Sequence, residues 1–314
     1  MLRSMYSGIS GMKNFQTKLD VIGNNIANVN TYGFKKGRTI FTDIMSQTIN
    51  GATAPGQSLG GVNPKQVGLG SSLAAIDTIH NSGSLQTTAR ILDLAIAGDG
   101  FFQVAPTSDR TTFTEEALYT RAGNFYLDQE GFLVTSAGMY VMGFASYEND
   151  GDDATPDSPE PSTINPTEFD FTTNPTTPSY TGAATPAVGY KPIQIPTDAK
   201  SMSIGKDGSV TYVDAGGTLR WAGQLVLSKF PNTGGLEKVG GNLFQATANS
   251  GQPVLNFAGE SGLGSIESGA LEMSNVDLSE EFTDMIVAQR GFQANTRIIT
   301  TSDEILQELV NLKR

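Results

Sequence analysis

A seven-residue repeat at both ends of the chain limits its fold more than any other feature. Between Ser274 and Arg314, Leu278, Met285, Phe292, Ile299 and Leu306 recur at strict seven-residue intervals. Phe282, Gln289, Thr296, Asp303 and Val310 fill a companion row four residues on from each. A heptad with one apolar row and one half-polar row predicts a long helix with a coiled-coil seam. Asp277 is placed to cap its start, and Glu280, three residues later, to complete a capping box. A helix of about 35 residues spans roughly 50 Å at about 1.5 Å per residue, so its stripe needs a partner of similar length. Its interior is poor: Gly291 costs about 1 kcal/mol against Ala, and Thr296–Ser302 is rich in β-branched and short polar residues. On this reading packing, not propensity, completes the helix.

The other end of the chain carries the same period. Met5, Met12, Leu19 and Ile26 form one row; Leu2, Ile9, Gln16 and Gly23 form the next, flanked by Phe15, Ile22 and Val29. Two terminal helices with matched seams are expected to pair into a stalk, with everything between them an excursion from it. The competing arrangement packs both helices separately on one globular core. The expected assembly interface is Leu2, Met5, Ile9, Met12, Leu19, Ile22 and Ile26 with Leu278, Phe282, Met285, Phe292, Ile299 and Leu306.

Composition removes several function classes. A net charge of −12 opposes nucleic acid and an anionic membrane surface. No apolar run reaches the roughly 18 residues of a transmembrane span, so no membrane insertion is expected. Arg3, Lys13, Lys18 and Asp20 interrupt the start, so no secretory signal peptide is expected there. With no Cys and one His (His80), neither a cysteine nucleophile nor a His/Cys metal cluster can be built, and His80 reads as a turn residue. Gly56-Gln-Ser-Leu-Gly60 matches a nucleophile elbow but lacks the strand before and the helix after it. Asp150, Asp152 and Asp153 lack the closing Glu of a calcium loop. No enzyme, metal or cofactor is expected.

Four Asn close the first helix between Asn24 and Asn30, and Gly33 ends the turn. Lys35, Lys36 and Arg38 follow; a solvated basic turn and contacts to an acidic neighbouring subunit both fit them. The fold class expected is α+β and multidomain: paired terminal helices in a coiled-coil-like stalk, plus a mainly β domain. Residues 1–33 with 275–314 form the stalk, 34–70 a linker, 71–147 with 191–274 the β-rich domain. Residues 148–190, which hold seven of the 14 Pro, eight acids and no Lys or Arg, form an acidic insertion. Hairpins are expected at Phe125–Val134 and Ser203–Val213, the latter turning at Asp207-Gly208.

Five stretches carry a resemblance: Asp20-Val-Ile-Gly-Asn-Asn-Ile-Ala-Asn-Val-Asn-Thr-Tyr-Gly-Phe-Lys35, Asp93-Leu-Ala-Ile-Ala-Gly-Asp-Gly-Phe-Phe102, Tyr119-Thr-Arg-Ala-Gly-Asn-Phe125, Gly269-Ala-Leu-Glu-Met-Ser-Asn-Val-Asp-Leu-Ser-Glu-Glu-Phe282 and Ala288-Gln-Arg-Gly-Phe-Gln-Ala-Asn295. Together they resemble the flagellar axial family, the rod and hook proteins of the bacterial flagellum. The run Glu281-Phe282 through Asn295, with Asp303-Glu304, is similar to hook proteins; a distal rod protein is the alternative, and a stalked adhesin or enzyme the remote one. The resemblance implies a helical homopolymer, a flexible hollow tube that transmits torque and passes exported subunits. It also implies partners: the rod, the hook cap, the hook–filament junction protein and the flagellar type III export apparatus. The location implied is extracellular, in the basal body and hook, reached without a cleaved signal peptide.

Overall fold

A computed structural model describes residues 2–55, 60–106, 117–146, 169–170, 179–180 and 188–312. The elbow-like motif at 56–59, the aspartates at 150–153 and most of the acidic insertion lie outside them. Within the insertion, Phe169–Asp170 pairs with Ser179–Tyr180, and Val188–Pro192 joins the main sheet. The described residues contain two α-helices, α1 (Leu2–Ala27) and α2 (Leu278–Asn311); the rest of the regular structure is β apart from one short 3-10 turn. The chain forms two compact units. One comprises residues 1–29, 36–79 and 276–314; the other comprises 30–35 and 80–275.

In the helical unit, Asp277 caps α2 as expected, accepting from the backbone N–H of Ser279 at 2.8 Å and of Glu280 at 3.4 Å. Glu280 pairs with Lys36 Nζ at 2.7 Å. The weak stretch of α2 satisfies its hydroxyls locally. Thr296, Thr301 and Ser302 donate to the carbonyls of Phe292, Arg297 and Ile298, one turn back, at 2.9, 2.9 and 2.7 Å.

Residues 34–70 are not a linker. Gly37–Asp43 pairs antiparallel with Ser71–Thr78, and Gln47–Asn50 with Lys65–Val67, making a long hairpin arm. The Gly and Pro that suggested a linker cluster in the arm's distal connection, while the flanking Thr, Ile and Phe have ordinary strand propensity. Asn14 Nδ2 donates to Ser71 Oγ at 2.8 Å, fixing the arm against α1.

The second unit is built on one antiparallel sheet of 12 strands. Its hub is Leu219–Lys229, which pairs with four other strands. Both expected hairpins form. Tyr126–Leu127 pairs with Leu133–Val134 across a turn closed by Gly131 (φ 82°), and Ser201–Ile204 with Ser209–Val213 across Gly208 (φ 84°). Leu94, Ile96, Phe102, Val104, Phe125, Leu225 and Leu227 form the core, all within 1% of full burial.

Candidate functional site

α1 and α2 run antiparallel. The contacts that fix their register step down α2 as they step up α1: Gly8 with Ile299, Gly11 with Asn295, Phe15 with Gly291, Lys18 with Asp284 and Asn25 with Glu281. The helices approach through small residues. A Cβ on Gly291 would stand 2.5 Å from the Phe15 ring, and one on Gly11 3.0 Å from the Asn295 amide. The mid-helix glycine that weakens α2 in isolation is therefore where an aromatic ring from α1 seats.

This geometry corrects the expected seam. Met285, Phe292, Ile299 and Leu306 are half-buried. The companion row is Glu281, Ala288, Asn295 and Ser302, of which Glu281 (6% exposed), Ala288 (0%) and Ser302 (7%) are buried. The expected companions are exposed, Phe282 at 50% and Val310 at 67%, and so is Leu278 at 39%. On α1, Met5, Met12, Leu19 and Ile26 are half-buried and Ile22 buried, whereas Ile9 is exposed with Gln16 and Gly23. Leu2 lies in the first turn of α1, and its side chain lies outside the described ones. Pattern counting favoured large apolar residues for the second row; the close approach of the helices requires small ones.

A second apolar stripe runs along α2 beside the α1 contact. Val287, Ile298, Ile305 and Leu309 are 55%, 44%, 49% and 49% exposed and fall on one side of the helix at about 100° per residue. Ile286 (59%) and Phe282 continue apolar surface on the opposite flank, and Tyr6 (69%) lies exposed on α1.

Near the end of α1, Asn25 is 1% exposed and ties three elements together. It accepts from Gly37 N at 3.0 Å, donates to Gly37 O at 2.9 Å, and donates to Glu281 Oε2 at 3.2 Å. Burial pushes the Glu281 carboxyl above its ordinary range, and Glu280 and Asp284 push the same way; the Asn25 amide and Lys36 pull it back. The Asn cluster was read as a helix stop, and its polarity hid the inward-facing member.

In the β unit, three stretches distant in sequence meet at Glu272. Its side chain is fully buried and accepts from Lys35 Nζ at 2.6 Å, Gly83 N at 2.8 Å and Arg121 Nη1 at 3.1 Å. Lys35 also donates to Asn81 O at 2.8 Å. Burial pushes the Lys35 amine down, and the Glu272 carboxylate holds it up. Gly33 lies in the left-handed region (φ 69°) with its N–H on Glu272 O at 2.8 Å; a Cβ there would stand 2.6 Å from Ala122 N. Lys35 is thus neither a solvated basic residue nor free for a neighbour, while Lys36 and Arg38 pair with Glu280 and Asp77.

Comparison with known proteins gives three family matches: "Flagella basal body rod protein" over residues 5–35, "Flagellar hook protein FlgE/F/G D1 domain" over 95–212, and "Flagellar basal body rod FlgEFG protein C-terminal" over 267–312. The flagellar basal-body rod protein FlgG of Bacillus subtilis (strain 168) is 53% identical over 315 residues, covering 100% of both chains. The flagellar hook protein FlgE of Borreliella burgdorferi is 34% identical over 448 residues, again covering 100% of both. The rod protein FlgG of the same organism is 35% identical over 320 residues and 100% of each chain.

Proposed function

The chain belongs to the flagellar rod and hook FlgE/F/G family, a family of structural proteins, and from that premise we propose that it is a subunit of the flagellar hook. On this reading the paired terminal helices form a coiled-coil-like stalk that becomes the core of a hollow helical homopolymer. The tube bends while transmitting torque and lets exported subunits pass. The expected heptad residues and the exposed stripe of α2 then form one assembly surface.

The observation that carries the reading is the second apolar stripe. Val287, Ile298, Ile305 and Leu309 stay about half exposed on a 34-residue helix already packed on its neighbour. Exposed large apolar side chains aligned along one side of a long helix favour an interaction surface. A helical polymer offers the same surface to every neighbour and buries it repeatedly. Its further partners on this reading are the rod below, the hook cap during growth, the junction protein above and the export apparatus.

The hook assignment is supported by the run Glu281–Asn295 with Asp303-Glu304, and by hook relatives that the chain matches along their whole length. A distal rod is the second reading, favoured by the 53% identity to a rod protein over 315 aligned residues. The shape of the polymer separates them. Electron microscopy of tubes grown from the concentrated purified chain is expected to show curved, hollow tubes; straight, rigid tubes would replace the hook reading with the rod.

A further inference from the structure

We propose that the cleft between His80, Arg121 and Lys229 in the β unit is a binding site for a small oxoanion, a group with the chemistry of phosphate, sulfate or a carboxylate. The cleft encloses about 330 Å³ and is lined by these three residues with Asn81, Asp99 and Thr233. It does not depend on the helical unit or on the polymer reading.

The donors in the cleft outnumber their partners. The Arg121 side chain is 2% exposed; its Nη1 is spent on Glu272, and its Nε has no hydrogen-bond partner among the described residues. At His80 the Thr233 backbone is the one group placed to hydrogen-bond the ring, and no side chain among the described residues does so. The imidazole makes ring contacts to Phe101 and Phe244, at centroid distances of 5.6 and 5.3 Å. Buried donors of this kind are normally satisfied. An acceptor of two or more oxygens would fill both positions at once, and against a guanidinium and an imidazole its bonds are charge-assisted.

The charge around the cleft is positive. Lys35, Lys238 and Arg121 all act on His80, and the one deeply buried carboxylate nearby, Glu272, already accepts three hydrogen bonds. Asp99 stands at the rim with its side chain 72% exposed, 3.9 Å from Lys229, which offsets it. Lys229 also donates to Gly262 O at 3.1 Å, leaving further donor hydrogens at the mouth. Burial first, and then the three cations, hold the imidazole down to about 4; the backbone of Thr233 opposes this weakly. An anion in the cleft reverses the sign of the field the ring feels.

His80 is the chain's one histidine, so its imidazole signal needs no assignment among competitors. The test is an NMR titration of that ring in the dilute full-length chain, with inorganic phosphate added against chloride at matched ionic strength. The expected result is a saturable shift with phosphate and none with chloride, accompanied by a rise in the ring's pKa of about one unit. Arg121→Lys, which keeps the charge facing Glu272 but removes Nε, is expected to weaken phosphate binding at least tenfold. Lys229→Gln, at a partly exposed position, is expected to weaken it severalfold without disturbing the core. The same spectrum recorded against chain concentration, with no oxoanion added, identifies the source: a concentration-dependent shift assigns the cleft to a carboxylate of a second copy. Absence of a saturable shift in both titrations, or phosphate binding unchanged in both variants, would overturn the site.

Discussion

At Glu272 one carboxylate balances two buried cations, and removing its charge should cost far more than a hydrogen bond. Glu272→Gln leaves Lys35 and Arg121 facing each other in the interior, for an expected loss of on the order of 3 kcal/mol, read from denaturant unfolding of the full chain. Loss of under about 1 kcal/mol would mean that the cluster is not the anchor its burial suggests. His80 sets a pH dependence of opposite origin. Its ring is held near 4 when folded against an ordinary 6.5, so the unfolded chain binds the proton first as pH falls. Its contribution is fully present above about pH 6.5 and is lost on acidification toward 4, by about 2 kcal/mol once partial exposure is allowed for. A Tm flat across that interval would contradict it. None of this cluster was legible in the sequence. Lys35, Arg121 and Glu272 are separated by tens to hundreds of residues, and a Lys in the basic run after Gly-Phe resembles a solvated turn until the topology brings its partner to it.

The helices were legible as elements and only half legible as a seam. The seven-residue period and the Asp277 cap lie in the sequence itself, because they are local. The row Met285, Phe292, Ile299, Leu306 was readable from hydrophobicity. Its companion was not, since Glu281, Ala288, Asn295 and Ser302 are polar or small and are buried for closeness of approach, not for apolar area. The arm at 37–78 was missed for the converse reason: Gly and Pro in its distal connection dominated a stretch whose strands are ordinary. Gly291→Leu tests the close approach. It replaces a poor helix former with a good one yet overlaps the Phe15 ring, so a net loss of about 2 kcal/mol is expected in the melting of the helices by circular dichroism; a gain would show that the helices part without cost. Glu281→Gln tests the buried acid. The raised carboxyl is most favourable to folding at acid pH, and its contribution fades as pH rises. At neutral pH the amide, which still accepts from Asn25, is expected to hold or improve stability by up to about 1 kcal/mol. A clear loss would mean that attraction to Lys36 outweighs desolvation.

The whole molecule is a folded β unit and a helical unit whose outer apolar stripe stays about half exposed among the described residues. That contrast separates folding from assembly. Met285→Asp and Phe292→Asp fall in the contact between α1 and α2, so they are expected to loosen the helices themselves while the sheet of residues 101–257 stays folded. Val287→Asp and Ile298→Asp lie on the stripe, where the single chain leaves them about half exposed, and should change monomer stability by no more than about 0.5 kcal/mol. In an assembled tube each would bury an unpaired charge at every subunit contact. The most direct measurement is electron microscopy of the native chain and of Ile298→Asp, each concentrated under the same precipitating salt. Hollow tubes from the native chain and none from a normally folded variant are the predicted result; tubes of normal shape from the variant would contradict the claim that the exposed face of the terminal helices is the assembly core.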